Sequence, residues 1–255
     1  MKRKILTLLV IGITLVLNLP TKQLLASHNA DWRKLFEVQL SRAYQIAVKD
    51  ARNAQENEIS NKLLPITLDN PNLVWRNVKD KPQVLIVTWT SWDGYDDKVS
   101  QTMPLSQEVW VTAVPELQKF AAKLNLSEKS LTLRLEQYLG LPAHNGKTKF
   151  VQMWVNPKDL FRPCADPEIN DTRCELSFPQ QVQPTHLYWV FKKRFTSYGE
   201  NGYPWTRLGY TYDWGSLDTE VGASEFVVKK GAEVEVESVT KTIKYVKDYK
   251  TSKKA

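Results

Sequence analysis

From residue 198 to 215 the chain reads Tyr-Gly-Glu-Asn-Gly-Tyr-Pro-Trp-Thr-Arg-Leu-Gly-Tyr-Thr-Tyr-Asp-Trp-Gly, its densest run of aromatic and acidic side chains. Exposed Tyr and Trp faces stack on sugar rings and aromatic ligands, and Glu200, Asn201 and Asp213 could fix hydroxyls by hydrogen bonds. Within the run Leu208, Tyr210, Tyr212 and Trp214 alternate with Arg207, Gly209, Thr211 and Asp213. A period of two assigns the first four to the buried face of a strand. That leaves Tyr203 and Trp205, in the preceding turn, together with Asp213 as ligand-binding candidates.

Acid–base chemistry needs two carboxyl groups with different environments. Asp213 and Glu225 are the catalytic candidates, with His186 as a third. A second acidic and aromatic stretch, Trp92-Asp93-Gly94-Tyr95-Asp96-Asp97, would complete a glycosidase-like pair if it lay beside Asp213. Solvated turn carboxylates are the plainer reading, as a surface or cap position is for His186. Three His and two Cys are too few for a zinc site once the Cys are paired, so no metal is expected. Asp166, Glu168, Asn170 and Asp171 offer oxygens that calcium could use, but without the spacing of an EF-hand. No GxSxG, HExxH, GxxxxGK[ST] or GxGxxG occurs, and no cofactor is expected.

Glu225-Phe-Val-Val-Lys-Lys-Gly-Ala-Glu-Val-Glu-Val resembles the catalytic-glutamate hairpin of ADP-ribosyltransferases, in which a Glu opens a hydrophobic strand that turns at Gly. His186, then Tyr210 or Tyr212, then Glu225 follow the His, Tyr, Glu order of one branch. The resemblance implies NAD as substrate, with Glu225 on its ribose. Ala223 stands where many members carry an acidic or amide residue. The blocks Asp159-Leu-Phe-Arg-Pro-Cys-Ala-Asp-Pro-Glu-Ile with Cys174, and Tyr203 onward to Gly215, resemble an exported bacterial family without assigned activity. That likeness implies no catalytic residue.

The elements that must position these groups follow from periodicity. Apolar residues three and four apart from Trp32 to Ala51 predict a helix over residues 31–61. Residues 73–76, 84–90, 108–114 and 150–155 read as strands, with a turn at Lys79-Asp80-Lys81-Pro82. Pro115 and Ser127 open helices to about Leu124 and Gly140, and Asn156-Pro157 caps a short helical turn. Residues 185–198 predict a helix carrying Leu187, Trp189, Val190 and Phe195. Residues 207–214 and 225–237 supply the last strands, the latter folded into a hairpin at Lys229-Lys230-Gly231. Short turns between strands predict an α+β fold, a mainly antiparallel sheet with packed helices, as a single domain with one disulfide. The domain limits are 1–26, 27–72, 73–238 and 239–255.

Lys2, Arg3 and Lys4 precede an apolar run of 13 residues, 5–17, and Ala26 is the expected exit of a secretory signal. Export, to periplasm or medium, makes the Cys164/Cys174 pair most simply a disulfide. The formal charge of +7 loses Lys2, Arg3, Lys4 and Lys22 with the signal, leaving +3. The tail 239–255 carries six Lys against Asp248, a net of +5, so residues 27–238 sum to −2. No basic face runs through the fold, and no nucleic acid is expected. The tail reads as a solvated end able to touch an anionic envelope surface. The expected function is an exported ligand-binding domain, for a glycan or small molecule, with an aromatic surface. The alternative is an exported enzyme, glycosidase-like or ADP-ribosyltransferase-like. Asn125-Leu-Ser and Asn170-Asp-Thr would be glycosylation acceptors in a host that modifies secreted chains.

Overall fold

The computed structural model describes the backbone of residues 22–252 and the side chains of residues 31–249. The basic start and apolar run expected to direct export lie outside the described residues. Helix α1 (Lys22–Ala51) buries Leu40, Tyr44, Ala47, Val48 and Ala51, a stripe at three and four residue steps. It ends ten residues before the expected limit of 61. The apolar stripe stops at Ala51, and Asn53, Gln55 and Asn57 follow. Their short polar side chains compete for backbone partners, and a single 3₁₀ turn at Glu56–Glu58 replaces further helix.

Strands β1 (Trp75–Val78) and β2 (Lys81–Thr90) form a hairpin in which Val78 faces Lys81. Only Lys79 and Asp80 lie in the turn, with φ of 50° and 61°, as a tight hairpin of right-twisted strands demands. Strands β3 (Thr102–Pro104) and β4 (Val109–Ala113) precede helices α2 (Glu116–Ala122) and α3 (Glu128–Tyr138). The Ser127 side chain accepts from the Ser130 amide and so starts α3. Strands β5 (Lys149–Val155) and β6 (Leu160–Phe161) flank the turn capped by Asn156, whose side chain accepts from the Lys158 amide. Then come α4 (Pro184–Ser197), β7 (Tyr210–Tyr212), β8 (Val221–Ser224), β9 (Phe226–Val228), β10 (Glu233–Lys241) and α5 (Thr242–Ser252).

Eight strands make one sheet along the path β3-β10-β5-β2-β4-β9-β6, with β1 added to β2, and every named pairing in it is antiparallel. A separate pair joins β7 to β8. The protein is therefore α+β, with Cys164 and Cys174 joined in the disulfide expected of them.

The turn at Lys229-Lys230-Gly231 is present, but it does not make the expected hairpin. β9 pairs with β4 and β6, whereas β10 pairs with β3 and β5. Three strands separate β9 from β10 along the path, a span of about 19 Å in a flat sheet. The Ala232 amide meets the Lys229 carbonyl at 3.1 Å, so the connection is a tight turn. Only a strongly curled sheet brings its two ends within that reach.

The inside of the curl is one apolar cluster: Val84 and Ile86 of β2, Val151, Met153 and Val155 of β5, Phe226 and Val228 of β9, Val234 and Val236 of β10. The alternate residues point outward. Leu85, Val87, Trp89, Phe150 and Trp154 pack beneath Leu117 and Ala121 of α2, Leu131 and Leu135 of α3, and Tyr245 and Val246 of α5. The strand period of two thus explains why β2 and β5 are apolar on both faces. Residues 239–249, expected within a solvated tail, instead finish β10 and begin α5, whose Tyr245 and Val246 are buried.

Residues 207–214 give only the three residues of β7, because Arg207 and Gly209 take left-handed φ of 60° and 74°. A Cβ on Gly209 would also meet Arg162 at 2.7 Å. The burial expected for Leu208, Tyr210 and Trp214 is present, and Tyr212 is half-buried.

Candidate functional site

The structure distributes the candidate residues rather than gathering them. Trp205 is buried, and its indole N–H donates to the Pro163 carbonyl at 2.9 Å. It lies edge-on to Trp110 of β4 and Trp189 of α4, at 6.3 and 5.8 Å between ring centres. Phe161 and His186 extend that cluster around Trp189. A ring so enclosed cannot receive a sugar, so Trp205 is a packing residue. Tyr203, by contrast, is 54% exposed.

Asp213 is buried and held in a two-pronged pair with Arg134 of α3, Nη1 to Oδ1 at 2.8 Å and Nη2 to Oδ2 at 2.6 Å. The Gly215 amide also donates to Oδ1. Arg134 itself lies over the Phe120 ring at 4.9 Å. Both oxygens of Asp213 are thereby committed to structure. The His186 Nε2–H donates to the Cys164 carbonyl at 2.7 Å, and burial lowers the imidazole pKa. The half-buried ring props the start of α4 against the disulfide segment. Glu225 follows β8 and has no hydrogen bond or ion pair to its carboxyl group among the described residues. Burial alone pushes its pKa up to about 8, which favours the neutral carboxyl group near pH 7. Asp93 and Asp96 do not approach Asp213 as partners but bind Lys149 Nζ at 2.6 and 2.7 Å. No acid–base pair converges from these candidates.

Three features lay beyond the sequence reading. Arg162, fully buried, spreads its guanidinium over the disulfide segment, with Nε donating to the Glu168 carbonyl at 3.0 Å and Nη2 to the Asp171 carbonyl at 2.9 Å. Carboxylate oxygens of Asp166, Glu168 and Asp171 lie within 4.8 Å of one another there. Arg162 is thus the cation around which the loop is folded. Glu116, at the start of α2, accepts from the Ser224 amide at 2.9 Å and is pushed up to about 7 by burial. Asp50, Glu58 and Glu220 also bring oxygens within 4.8 Å. The crevice they share with Tyr210 and Tyr212 has no room for a water molecule.

A surface with room for a ligand lies where the C-terminal ends of α1 and α4 meet. Arg52, Phe191, Arg194, Phe195, Tyr198 and Gly199 line a groove of about 420 Å³. α4 turns Trp189 and Val190 inward and leaves Tyr188, Phe191 and Phe195 exposed, Phe195 at 92%. Spacings of three and four put these three rings on one stripe. Beyond Ser197 the chain folds back sharply: the Tyr203 amide donates to the Ser197 carbonyl at 2.7 Å and Gly202 to Gly199 at 3.0 Å. A Cβ at Gly202 would sit 2.2 Å from the Ser197 carbonyl oxygen, so only glycine permits the approach. Tyr44 of α1 donates its hydroxyl to the Gly202 carbonyl at 3.1 Å and anchors the loop. Tyr203 is thereby carried on the loop that borders the groove. The Tyr198 hydroxyl donates to the Trp205 carbonyl at 2.7 Å, tying the groove wall to the buried cluster behind it.

Set against protein-family models, curated proteins and solved structures, the chain has no significant match to any of them. Among the described residues no helix is long and apolar enough to cross a membrane.

Proposed function

We propose that this protein is an exported ligand-binding domain that holds a glycan in the groove between α1 and α4. The observation that carries this reading is the set of aromatic rings open to solvent there. Phe191, Phe195 and Tyr198 border about 420 Å³ of free space, and Tyr203 stands on the adjoining loop. Flat rings at the edge of a groove offer apolar area to the C–H faces of a pyranose at little cost in side-chain entropy. The basic and apolar N-terminal sequence and the disulfide support export.

Binding is favoured over catalysis because Asp213, the expected partner of Glu225, has both oxygens engaged by Arg134. The transferase alternative loses its hairpin, since β9 and β10 do not pair. A thermal-shift screen of the folded protein against oligosaccharides and NAD tests the reading. An oligosaccharide that raises the midpoint, and does so less in Phe195→Ala and Tyr203→Ala, supports it. A shift seen with NAD alone and lost in Glu225→Gln moves the assignment to the transferase, and the absence of any oligosaccharide shift sinks the glycan reading.

A further inference from the structure

We infer that the groove selects an acidic glycan, taking an oxyanion of the sugar on Arg52 and Arg194 while the rings hold its carbon face. This rests on the glycan reading above. Arg52 stands just past the end of α1 and Arg194 in the last turn of α4, and both line the groove. Arg207 lies behind them, its Nη2 donating to the Arg52 carbonyl at 3.2 Å. All three guanidinium groups act on the Tyr198 hydroxyl, opposing the upward pKa shift that its burial causes.

None of the three has a carboxylate partner in an ion pair among the described residues. The ends of α1 and α4 supply some negative potential, about half a charge each. Glu200 on the adjoining loop adds at most one more. The groove lining itself carries two guanidinium groups and no carboxylate, the rest being Phe191, Phe195, Tyr198 and Gly199. A guanidinium fork matches the two oxygens of a carboxylate or phosphate. A second copy of this chain is the poorer occupant. Two-fold pairing through the exposed stripe of α4 would gather Arg52 and Arg194 of both copies at one interface whose groove lining offers no carboxylate to offset them, which is unfavourable.

The experiment is titration calorimetry of the folded protein with three probes: an oligoglucuronate, the same oligosaccharide with its carboxyl groups reduced to alcohols, and inorganic phosphate. Arg52→Gln and Arg194→Gln are compared with the parent, and both change exposed side chains, so folding is checked by circular dichroism. The proposal expects the oligoglucuronate to bind at least tenfold tighter than its reduced form. Each Gln variant loses about that factor for the acidic probe and little for the neutral one. Equal affinity for both oligosaccharides, untouched by the Gln variants, overturns the oxyanion assignment and leaves the glycan reading standing. Phosphate binding that the Gln variants abolish, with no oligosaccharide binding, supports an oxyanion site but overturns its sugar ligand. Failure of all three probes overturns both readings. So does concentration-dependent dimerisation removed by Phe195→Ala without binding of any probe.

Discussion

The two sides of α4 carry the same residue types to opposite ends. On the inner side His186, Trp189 and Val190 close onto Trp110, Phe161 and Trp205, and the Trp189 indole donates to Glu108 at 2.6 Å. Lys193 completes that arrangement by pairing with the other oxygen of Glu108. On the outer side Phe191 meets one ring, Phe178 at 5.9 Å between centres, while Tyr188 and Phe195 make no such contact and Arg194 no ion pair among the described residues. Aromatic content alone therefore says nothing about binding. What separates packing from recognition is whether each polar atom beside the rings is already satisfied from within the chain.

The largest test of that contrast is Trp205→Ala, which removes an enclosed ring and leaves the Pro163 carbonyl without its donor. A loss of about 3–5 kcal/mol is expected by urea denaturation. Asp213→Ala should cost about 3 kcal/mol, because Arg134 would keep a part-buried charge without its partner. If either variant kept full stability while losing ligand, the inner side would have to be redrawn as part of the site.

Glu225 sharpens the comparison through pH. Its carboxyl group is protonated in the folded state up to about pH 8, against an ordinary value of 4.5. Below 4.5 both states hold the proton and pH has no effect through this group. Between 4.5 and about 8 the unfolded chain releases a proton that the folded chain keeps, so stability falls as pH rises, by at most about 1.4 kcal/mol per pH unit. Glu116 acts in the same direction up to about 7. Glu225→Gln should flatten its share of the slope in denaturation series, and an unchanged slope would mean that the carboxyl group is solvated after all. The smallest effect belongs to the outer side: Phe195→Ala should change stability by no more than about 0.5 kcal/mol. A larger loss would show that the exposed stripe is a packing surface.

These contrasts mark what the sequence made legible. Short apolar runs were enough to find β4 and β5, and local alternation to find the core residues Leu208, Tyr210 and Trp214, since a strand's two faces are written in neighbouring positions. The spacing of Leu187, Trp189, Val190 and Phe195 marked α4 as a helix, but a helical wheel does not say which stripe meets the sheet. Tyr203 and Trp205 illustrate the limit most plainly. They are two residues apart in one turn, and their fates diverge because Trp110 and Trp189, distant in sequence, close over one of them. The same holds for Asp213, whose role is decided by Arg134, and for Arg162, whose acceptors are backbone carbonyls that no residue type advertises. The tail differs for another reason: its lysines read as a solvated end, but Ile243, Tyr245 and Val246 among them form the apolar side of an amphipathic helix.

β10, nearly the last element of the chain, lies between β3 and β5, and α5 then covers the outer apolar face. Until about residue 246 has been synthesised, β3 has no strand to pair with, β5 presents an edge with unmet backbone donors and acceptors, and the outer core lacks Tyr245 and Val246. The sheet is therefore closed by a strand made after its neighbours: a chain emerging from the ribosome has no finished sheet until β10 is out, and truncation before Glu233 would remove an interior strand rather than trim an edge.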